Sequence, residues 1–158
     1  MNCTIKNEDI KFGLKAEYKL FKYLRKENPD VEWLTKKDPY SHFDYRLGDH
    51  FIELKTRHYV KKRFDYEGSK GHMIETSKFQ YLKKNKIKSA SIFYLYEDGL
   101  YRYDFKRSEC NKGVTQGLGG RKDRAVCELK KTSYIKGRYL KLITTKIKAP
   151  KKISLCVL

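Results

Sequence analysis

Two alternating segments on either side of Gly48-Asp49 constrain the fold of this chain most strongly. Within residues 40–59, apolar side chains occupy every second position before and after this dipeptide. The apolar positions are Phe43, Tyr45, Leu47, Ile52 and Leu54. An alternation of period two is typical of strands with one buried face, and Gly-Asp between two such segments favours a two-residue turn. We therefore predict a β-hairpin in this region.

The register of that hairpin follows from the length of its turn. A two-residue turn pairs Leu47 with His50, Arg46 with Phe51 and Tyr45 with Ile52, and the next pair is Asp44 with Glu53. The five apolar positions should then share one face of the hairpin. The opposite face should carry Asp44, Glu53 and Lys55.

These three polar residues indicate a reactive site. Two carboxylates directly opposite each other on neighbouring strands repel and destabilise the pair. A divalent cation between them would remove that cost, and Mg²⁺ prefers carboxylate oxygens while keeping several waters. Lys55, two residues beyond Glu53, would point to the same place and could hold or deprotonate a water.

A first helix is predicted over residues 8–27, because apolar residues recur there at helical spacing. The stripe consists of Ile10, Leu14, Phe21 and Leu24, joined by Gly13, Leu20 and the acidic Glu17. Asn7 or Asp9 could cap its start. A carboxylate on a core face is costly, so Glu17 either meets the hairpin site or reaches solvent at the helix edge.

The remaining segments predict an α/β protein with a mixed sheet. Further strands are expected at 31–34, 89–96, 100–105, 125–129 and 138–144, and a second helix at about 76–84. Residues 60–72 and 106–124 are predicted to be basic loops, the first of them mobile. We expect one domain over residues 1–158, with a core at about 8–145 and a basic tail at 146–158.

The charge of the chain indicates its partner. Thirty-seven Lys and Arg residues against nineteen Asp and Glu give a net charge of +18. Such a field attracts polyanions, and nucleic acid is the expected one, although lysines kept for solubility would explain the same count. No segment approaches the roughly 20 apolar residues of a membrane-spanning helix, and no signal peptide is visible. The predicted location is the cytoplasm or nucleus, without membrane association.

The four cysteines do not indicate a metal site. They are Cys3, Cys110, Cys127 and Cys156. No two of them are closely spaced, as zinc and iron–sulfur sites usually require. We expect reduced, partly buried thiols.

The ordered set of motifs resembles the PD-(D/E)xK nuclease superfamily, which includes restriction endonucleases, archaeal Holliday-junction resolvases and some homing endonucleases. The matching positions are Glu17 within residues 13–17, then Asp44, then Glu53-Leu54-Lys55, and finally Gln80 in the second helix. Phe43 stands where the family motif has proline. The resemblance covers roughly residues 8–105.

The resemblance implies a restriction-endonuclease-like core, a central mixed β-sheet flanked by helices, and metal-dependent hydrolysis of phosphodiester bonds in DNA. Asp44, Glu53 and the backbone carbonyl of Leu54 would bind Mg²⁺, with Mn²⁺ as a substitute. Lys55 would position and activate the attacking water. Glu17 would orient a metal-bound water or a second ion, and Gln80 would touch the water or the phosphate.

Basic residues elsewhere are predicted to contact the nucleic acid. The candidates are Arg57, Lys61, Lys62, Arg63, Lys78, Arg121, Lys122 and Arg124. The expected substrate is double-stranded or branched DNA, cut by a homodimer or a larger homo-oligomer because two strands must be cleaved. A junction resolvase, a sequence-specific homing or restriction enzyme, and a non-catalytic basic binding module all remain open from the sequence.

Overall fold

The computed structural model describes residues 3–66, 68–109, 113–119 and 130–150. Within these ranges the chain forms three α-helices and nine β-strands. The helices are α1 (Cys3–Glu27), α2 (Leu34–Lys37) and α3 (Thr76–Lys84). The strands are β1 (Glu32–Trp33), β2 (Tyr45–Leu47), β3 (His50–Thr56), β4 (His72–Glu75), β5 (Ser89–Tyr96), β6 (Gly99–Lys106), β7 (Val114–Gly119), β8 (Lys130–Ile135) and β9 (Lys141–Thr144).

Six strands form a mixed sheet in the order β1-β2-β3-β5-β6-β9. Strand β5 is parallel to β3 and antiparallel to β6, and the other pairs in the sheet are antiparallel. Seven of the eight residues of β5 are buried, as a strand covered on both faces requires. The expected mixed sheet flanked by helices is confirmed.

The predicted hairpin register is also confirmed. Tyr45 pairs with Ile52, Arg46 with Phe51 and Leu47 with His50. The turn contains Gly48 at φ +55°, a left-handed conformation that glycine adopts without steric cost. The observed pairs end at Tyr45 and Ile52, and Asp44 lies just before β2, next to this last pair.

Two apolar clusters cover the two faces of the sheet. On one face, Ala16, Leu20 and Leu24 of α1 pack with a group from the sheet that includes Tyr45, Ile52, Leu54 and Leu95. On the other face, Phe79 and Leu82 of α3 pack with a group that includes Ile92, Tyr94 and Phe105. The alternation along β3 therefore directs Glu53 and Lys55 toward the α3 side.

The buried stripe of α1 differs from the predicted one. Ile10 and Leu14 are each 52% exposed, while Ala16 and Leu20 are fully buried. The core-facing stripe is thus Phe12, Ala16, Leu20 and Leu24, one helical turn apart, with Phe12 partly buried. Because α1 already includes Asn7 and Asp9, neither residue caps its start, contrary to prediction.

Phe43 also departs from its predicted face, because it precedes β2 and is not held by the strand's alternation. It is buried in the α3-side cluster rather than beside Tyr45.

A second sheet was not predicted. Strands β4, β8 and β7 form it in the order β4-β8-β7, all antiparallel. The supposed loop over residues 60–72 contains a 3₁₀ turn at Lys61–Phe64, and Phe64 packs against the α3-side cluster. The supposed loop over 106–124 contains β7. Its glycines, which are depleted in strands, are the reason that the sequence did not predict a strand there.

Several predictions lie outside the described residues, including the strand at 125–129, most of the basic tail, and Cys110, Cys127 and Cys156. No helix in the described part of the chain combines the length and the apolar character needed to cross a membrane.

Candidate active site

Asp44 is fixed at the start of β2 by bonds to the neighbouring strand. Its backbone N–H donates to the Ile52 carbonyl at 3.1 Å, which extends the hairpin by one residue. Its carboxylate Oδ2 accepts a hydrogen bond of 2.6 Å from the Leu54 backbone N–H. The carboxylate is therefore held against the segment that carries Glu53 and Lys55.

Glu53 and Lys55 form a buried ion pair on the α3 side of β3. Lys55 Nζ lies 2.6 Å from Glu53 Oε1, and the Glu53 side chain is only 3% exposed. A buried charge of this kind is tolerated only when it is paired. The other carboxylate oxygen, Glu53 Oε2, has no hydrogen-bond partner.

Lys78 brings a second ammonium group to Glu53. Its Nζ lies 2.9 Å from Glu53 Oε2, in an ion pair without hydrogen-bond geometry, and it donates to the His42 carbonyl. Lys78 belongs to the first half of α3, which places it above the buried carboxylate. We had predicted Lys78 as a nucleic-acid contact; that role stays a prediction, and the structure adds its contact with Glu53.

Glu75 is a member of the site that the sequence did not reveal. It ends β4, and its Oε2 lies 2.8 Å from Lys55 Nζ. Desolvation alone would raise the pKa of Glu75, but the charge of Lys55 and its hydrogen bond outweigh burial and lower the pKa to about 2. Burial likewise opposes the charge on Lys55, yet Glu53 and Glu75 raise the pKa of its ammonium group above the ordinary lysine value.

The pKa of Asp44 is raised, whereas that of Glu75 is lowered. Burial is the largest cause and raises the pKa of its carboxyl to about 8, and the negative charges of Glu53 and Glu17 contribute further. The hydrogen bond from the Leu54 N–H works in the other direction but is weaker. The site thus contains a carboxyl that resists ionisation mainly because it is buried and further because other carboxylates are close.

Glu17 is oriented by two residues of the β1–α2 segment. Its Oε2 accepts hydrogen bonds from Trp33 Nε1 at 2.9 Å and from Thr35 Oγ1 at 2.8 Å. The Glu17 carbonyl also accepts a bond of 2.7 Å from the Tyr45 hydroxyl, which ties α1 to β2. Trp33 and Thr35 were not predicted; a lone tryptophan in a short strand gave no indication of this role.

Gln80 and Leu54 occupy different places relative to these groups. Gln80 is exposed on α3, and at about 100° per residue it points roughly 200° around the helix from Lys78. The described contacts do not bring it to Glu53. The Leu54 side chain is buried on the α1 side, while its backbone lies between Glu53 and Lys55.

The predicted basic contacts fall into three groups. Arg57 donates to the backbone carbonyls of Thr56 and Met73, and Lys61 is paired with Asp65. Lys62 and Arg63 are exposed, and the Arg63 guanidinium lies 3.8 Å from the centre of the Tyr59 ring. Arg121, Lys122 and Arg124 lie outside the described residues.

The carboxylate oxygens of the site suit a hard cation, although Glu53 is already paired with Lys55 and Lys78. Among the described residues, no group of three or more His, Cys, Asp or Glu side chains is placed to hold a metal ion. However, Asp44 and Glu53 offer carboxylate oxygens, and Glu53 Oε2 is buried without a hydrogen bond. Mg²⁺ takes such oxygens, so these residues fit the ion if Lys78 yields its position.

Comparisons of the chain with protein-family models, with characterised proteins and with solved structures found no match in any of the three.

Proposed function

We propose that the chain is a Mg²⁺-dependent DNA endonuclease with a restriction-endonuclease-like core. The observation that carries the proposal is the Asp44 carboxyl bound to the Leu54 N–H, between Glu53 and Lys55, with the Lys55 ammonium 2.6 Å from the Glu53 carboxylate. This trio lies where β2 begins beside β3, and helix α1 adds Glu17 to its electrostatic field. Metal-dependent hydrolysis of a phosphodiester uses anionic groups of this kind to hold the metal ion beside the phosphate.

Asp44, Glu53 and the Leu54 carbonyl are the proposed ligands of the cation. When bound, Mg²⁺ supplies Lewis-acid polarisation of the phosphate and stabilises charge on the departing oxygen. Two observations support this assignment: Glu53 Oε2 is a buried carboxylate oxygen without a hydrogen bond, and Asp44 lies close enough to Glu53 for that charge to raise the pKa of the Asp44 carboxyl.

Lys55 is proposed to hold the attacking water. An ammonium group has three N–H bonds, and two of those on Lys55 are directed to Glu53 and Glu75. The third is available for a water or a phosphate oxygen. Because the two carboxylates keep the ammonium in one position, the water would be oriented before the substrate arrives.

Glu17 is proposed to orient a water beside Asp44. Its carboxylate is held by Trp33 and Thr35, so its direction is set by α1 packing on the sheet. The proposed substrate is double-stranded or branched DNA, and the proposed assembly is a homodimer, because two strands have to be cut.

A non-catalytic nucleic-acid-binding module is the second candidate. One observation favours it: Glu53 already has two ammonium partners, Lys55 and Lys78, within 2.9 Å. A carboxylate balanced in this way does not need a cation for folding. In this case, the basic surface of a chain with a net charge of +18 would bind DNA. The ion pairs of Glu53 with Lys55 and Lys78 would only hold α3 against β3.

Cleavage of a substrate panel separates the two candidates. The panel consists of a four-way junction, a linear duplex, a single strand and a random-site duplex library, each incubated with Mg²⁺ and with EDTA. The nuclease proposal predicts Mg²⁺-dependent products from at least one substrate and none in EDTA. Binding of every DNA without cleavage of any would favour the binding module.

A further inference from the structure

A lysine-lined cleft lies between the second half of α1 and the segment that follows β9. The cleft has a volume of about 450 Å³ and is lined by Lys19, Lys22, Tyr23, Lys26, Thr144, Lys146, Ile147 and Lys148. Five of these eight residues are lysines, and none is acidic. We call it the lysine cleft below.

Packing of the elements fixes both walls of the lysine cleft. Ala16, Leu20 and Leu24 face the sheet, so Lys19, Lys22 and Lys26 emerge on the flank of the helix. The opposite wall is anchored where the Ala149 N–H donates to the Tyr96 carbonyl at 2.9 Å. Lys19 Nζ also donates to the Lys148 carbonyl at 3.2 Å, which joins the walls.

The lysine cleft is separate from the candidate active site. At about 100° per residue, Lys22 and Lys26 lie roughly 140–180° around α1 from Glu17. In the sheet, the active site is at β2 and β3, whereas this cleft borders β9 at the opposite edge. Three strand spacings of about 4.8 Å separate β9 from β3, which carries Glu53 and Lys55, or roughly 14 Å.

A lining without acidic residues distinguishes the lysine cleft from the surroundings of three less exposed lysines. Lys55, Lys61 and Lys78 each lie beside a carboxylate, whereas the lining of the cleft contains only positive groups and neutral ones. All five lysines are exposed, and together they give the cleft a positive potential that attracts polyanions. Tyr23 and Ile147 add apolar surface between the charges.

We propose that the lysine cleft binds the phosphodiester backbone of nucleic acid, outside the segment held at the carboxylates. Several cations lining one cleft match a row of backbone phosphates, and apolar surface between them suits the sugars. The inference rests on the proposed function only in taking DNA as the polyanion. It does not require that the DNA be cleaved.

Matched charge-neutralising variants test the lysine cleft. The first carries Lys19→Gln, Lys22→Gln and Lys26→Gln. The control carries Lys83→Gln, Lys84→Gln and Lys88→Gln, three exposed lysines elsewhere with the same total charge change. Duplex affinity is measured in EDTA across a salt series, after melting curves show that both variants are folded.

The cleft variant should bind at least tenfold more weakly than the control at low salt. Its plot of log affinity against log salt should be shallower by about 2–3, since each lost phosphate contact contributes about 0.9 to that slope for duplex DNA. Equal affinities and slopes for the two variants would overturn the proposal.

Lysine modification of the unmutated protein gives a second test that no folding defect affects. Duplex DNA should protect Lys19, Lys22, Lys26, Lys146 and Lys148 from acylation, while Lys83, Lys84 and Lys88 stay reactive. Inorganic phosphate at the same phosphate concentration should not protect them. Equal protection by inorganic phosphate, or no protection by DNA, would overturn the proposal. If DNA protects these lysines but the protein never cleaves it, the cleft proposal is supported and the nuclease proposal is refuted.

Discussion

At the scale of single residues, Lys55 is held by Glu75 as well as by Glu53. The two carboxylates lie 2.6 and 2.8 Å from its ammonium group. Glu75→Gln should therefore let Lys55 adopt other positions and slow cleavage about tenfold, or ~1.4 kcal/mol in the barrier. Single-turnover rates should show the loss at saturating protein, since Glu75 is not expected to bind DNA. Glu97→Gln, an exposed glutamate in the β5–β6 turn, is the control, and equal rates for the two variants would exclude this role.

The sequence alone predicted part of this site. Asp44, Glu53 and Lys55 could be brought together because they lie within one hairpin whose period and turn length fix the pairing. Glu75 and Lys78 could not be placed, because they come from β4 and α3. Strand β4 is held by β8, where Glu75 pairs with Thr132, and no local pattern reveals a partner more than fifty residues away.

A buried histidine gives the fold a pH dependence of its own. His72 Nε2 lies 2.8 Å from Asp65 Oδ1, and its Nδ1 lies 2.5 Å from the Tyr96 hydroxyl. Burial lowers the pKa of His72 below its ordinary 6.5, despite the opposing effect of Asp65. The unfolded chain therefore binds this proton more readily than the folded chain. The stability due to neutral His72 is complete above about pH 6.5 and is lost as the pH falls through the lower folded pKa.

Melting temperatures between pH 8 and pH 5 test that dependence. The parent should lose stability on the acidic side of pH 6.5, and His72→Gln should be less stable at pH 8 but lose less of its remaining stability over the same range. His42→Gln, which changes an exposed histidine, should follow the parent. If His72→Gln and the parent decline in parallel, another group carries the pH dependence.

At the scale of elements, helix α1 shows where periodicity succeeds and where it misleads. Glu17 was expected on a stripe with Ile10 and Leu14, yet those two side chains are half exposed and the stripe that packs is Ala16, Leu20 and Leu24. Trp33 and Thr35 hold the Glu17 carboxylate by donating hydrogen bonds to it, and its charge contributes to the raised pKa of Asp44. Helical spacing identified the element, but only the position of the sheet decides which turns of a long helix are covered.

The second sheet shows a different limit of sequence reasoning. Strand β7 contains Gly117 and Gly119, and glycine is depleted in strands. Its pairing with β8 supplies the backbone hydrogen bonds that its own sequence does not favour. A polar, glycine-containing segment was therefore predicted as a loop, because the partner strand lies at a distance along the chain.

Metal binding should depend on the packing of α1 through Glu17. In the parent, Mg²⁺ at a hundredfold excess over its Kd should stabilise the fold by about 2.7 kcal/mol, or roughly 5–10 °C in Tm. Glu17→Gln removes one carboxylate from the field at Asp44, so the shift should be smaller and cleavage slower. Glu27→Gln, at the end of the same helix, is the control. A Glu17→Gln protein that cleaves and responds to Mg²⁺ like the control would remove α1 from the site.

At the scale of the whole molecule, a charge of +18 should govern DNA binding. Affinity should fall steeply between low and physiological salt, by about 10³-fold or more if six or more phosphates are contacted. Charge reversal at Arg121, Lys122 and Arg124 should flatten the dependence, because these cations are predicted to contact phosphates. Fluorescence anisotropy across a salt series measures both effects, and an affinity that barely changes with salt would rule out phosphate contacts as the main source of binding.

The central claim is that the Asp44 carboxylate belongs to a metal-dependent hydrolytic site, and one comparison tests it most directly. Mg²⁺-dependent cleavage is measured under single-turnover conditions for the parent, Asp44→Asn and Asp49→Asn. The two variants make the same substitution five residues apart, one in the site and one in the exposed hairpin turn. We predict that Asp49→Asn cleaves like the parent, whereas Asp44→Asn binds DNA normally but cleaves at least about a thousandfold more slowly, or ~4 kcal/mol in the barrier. Equal cleavage by both variants, or no cleavage by the parent, would contradict the claim.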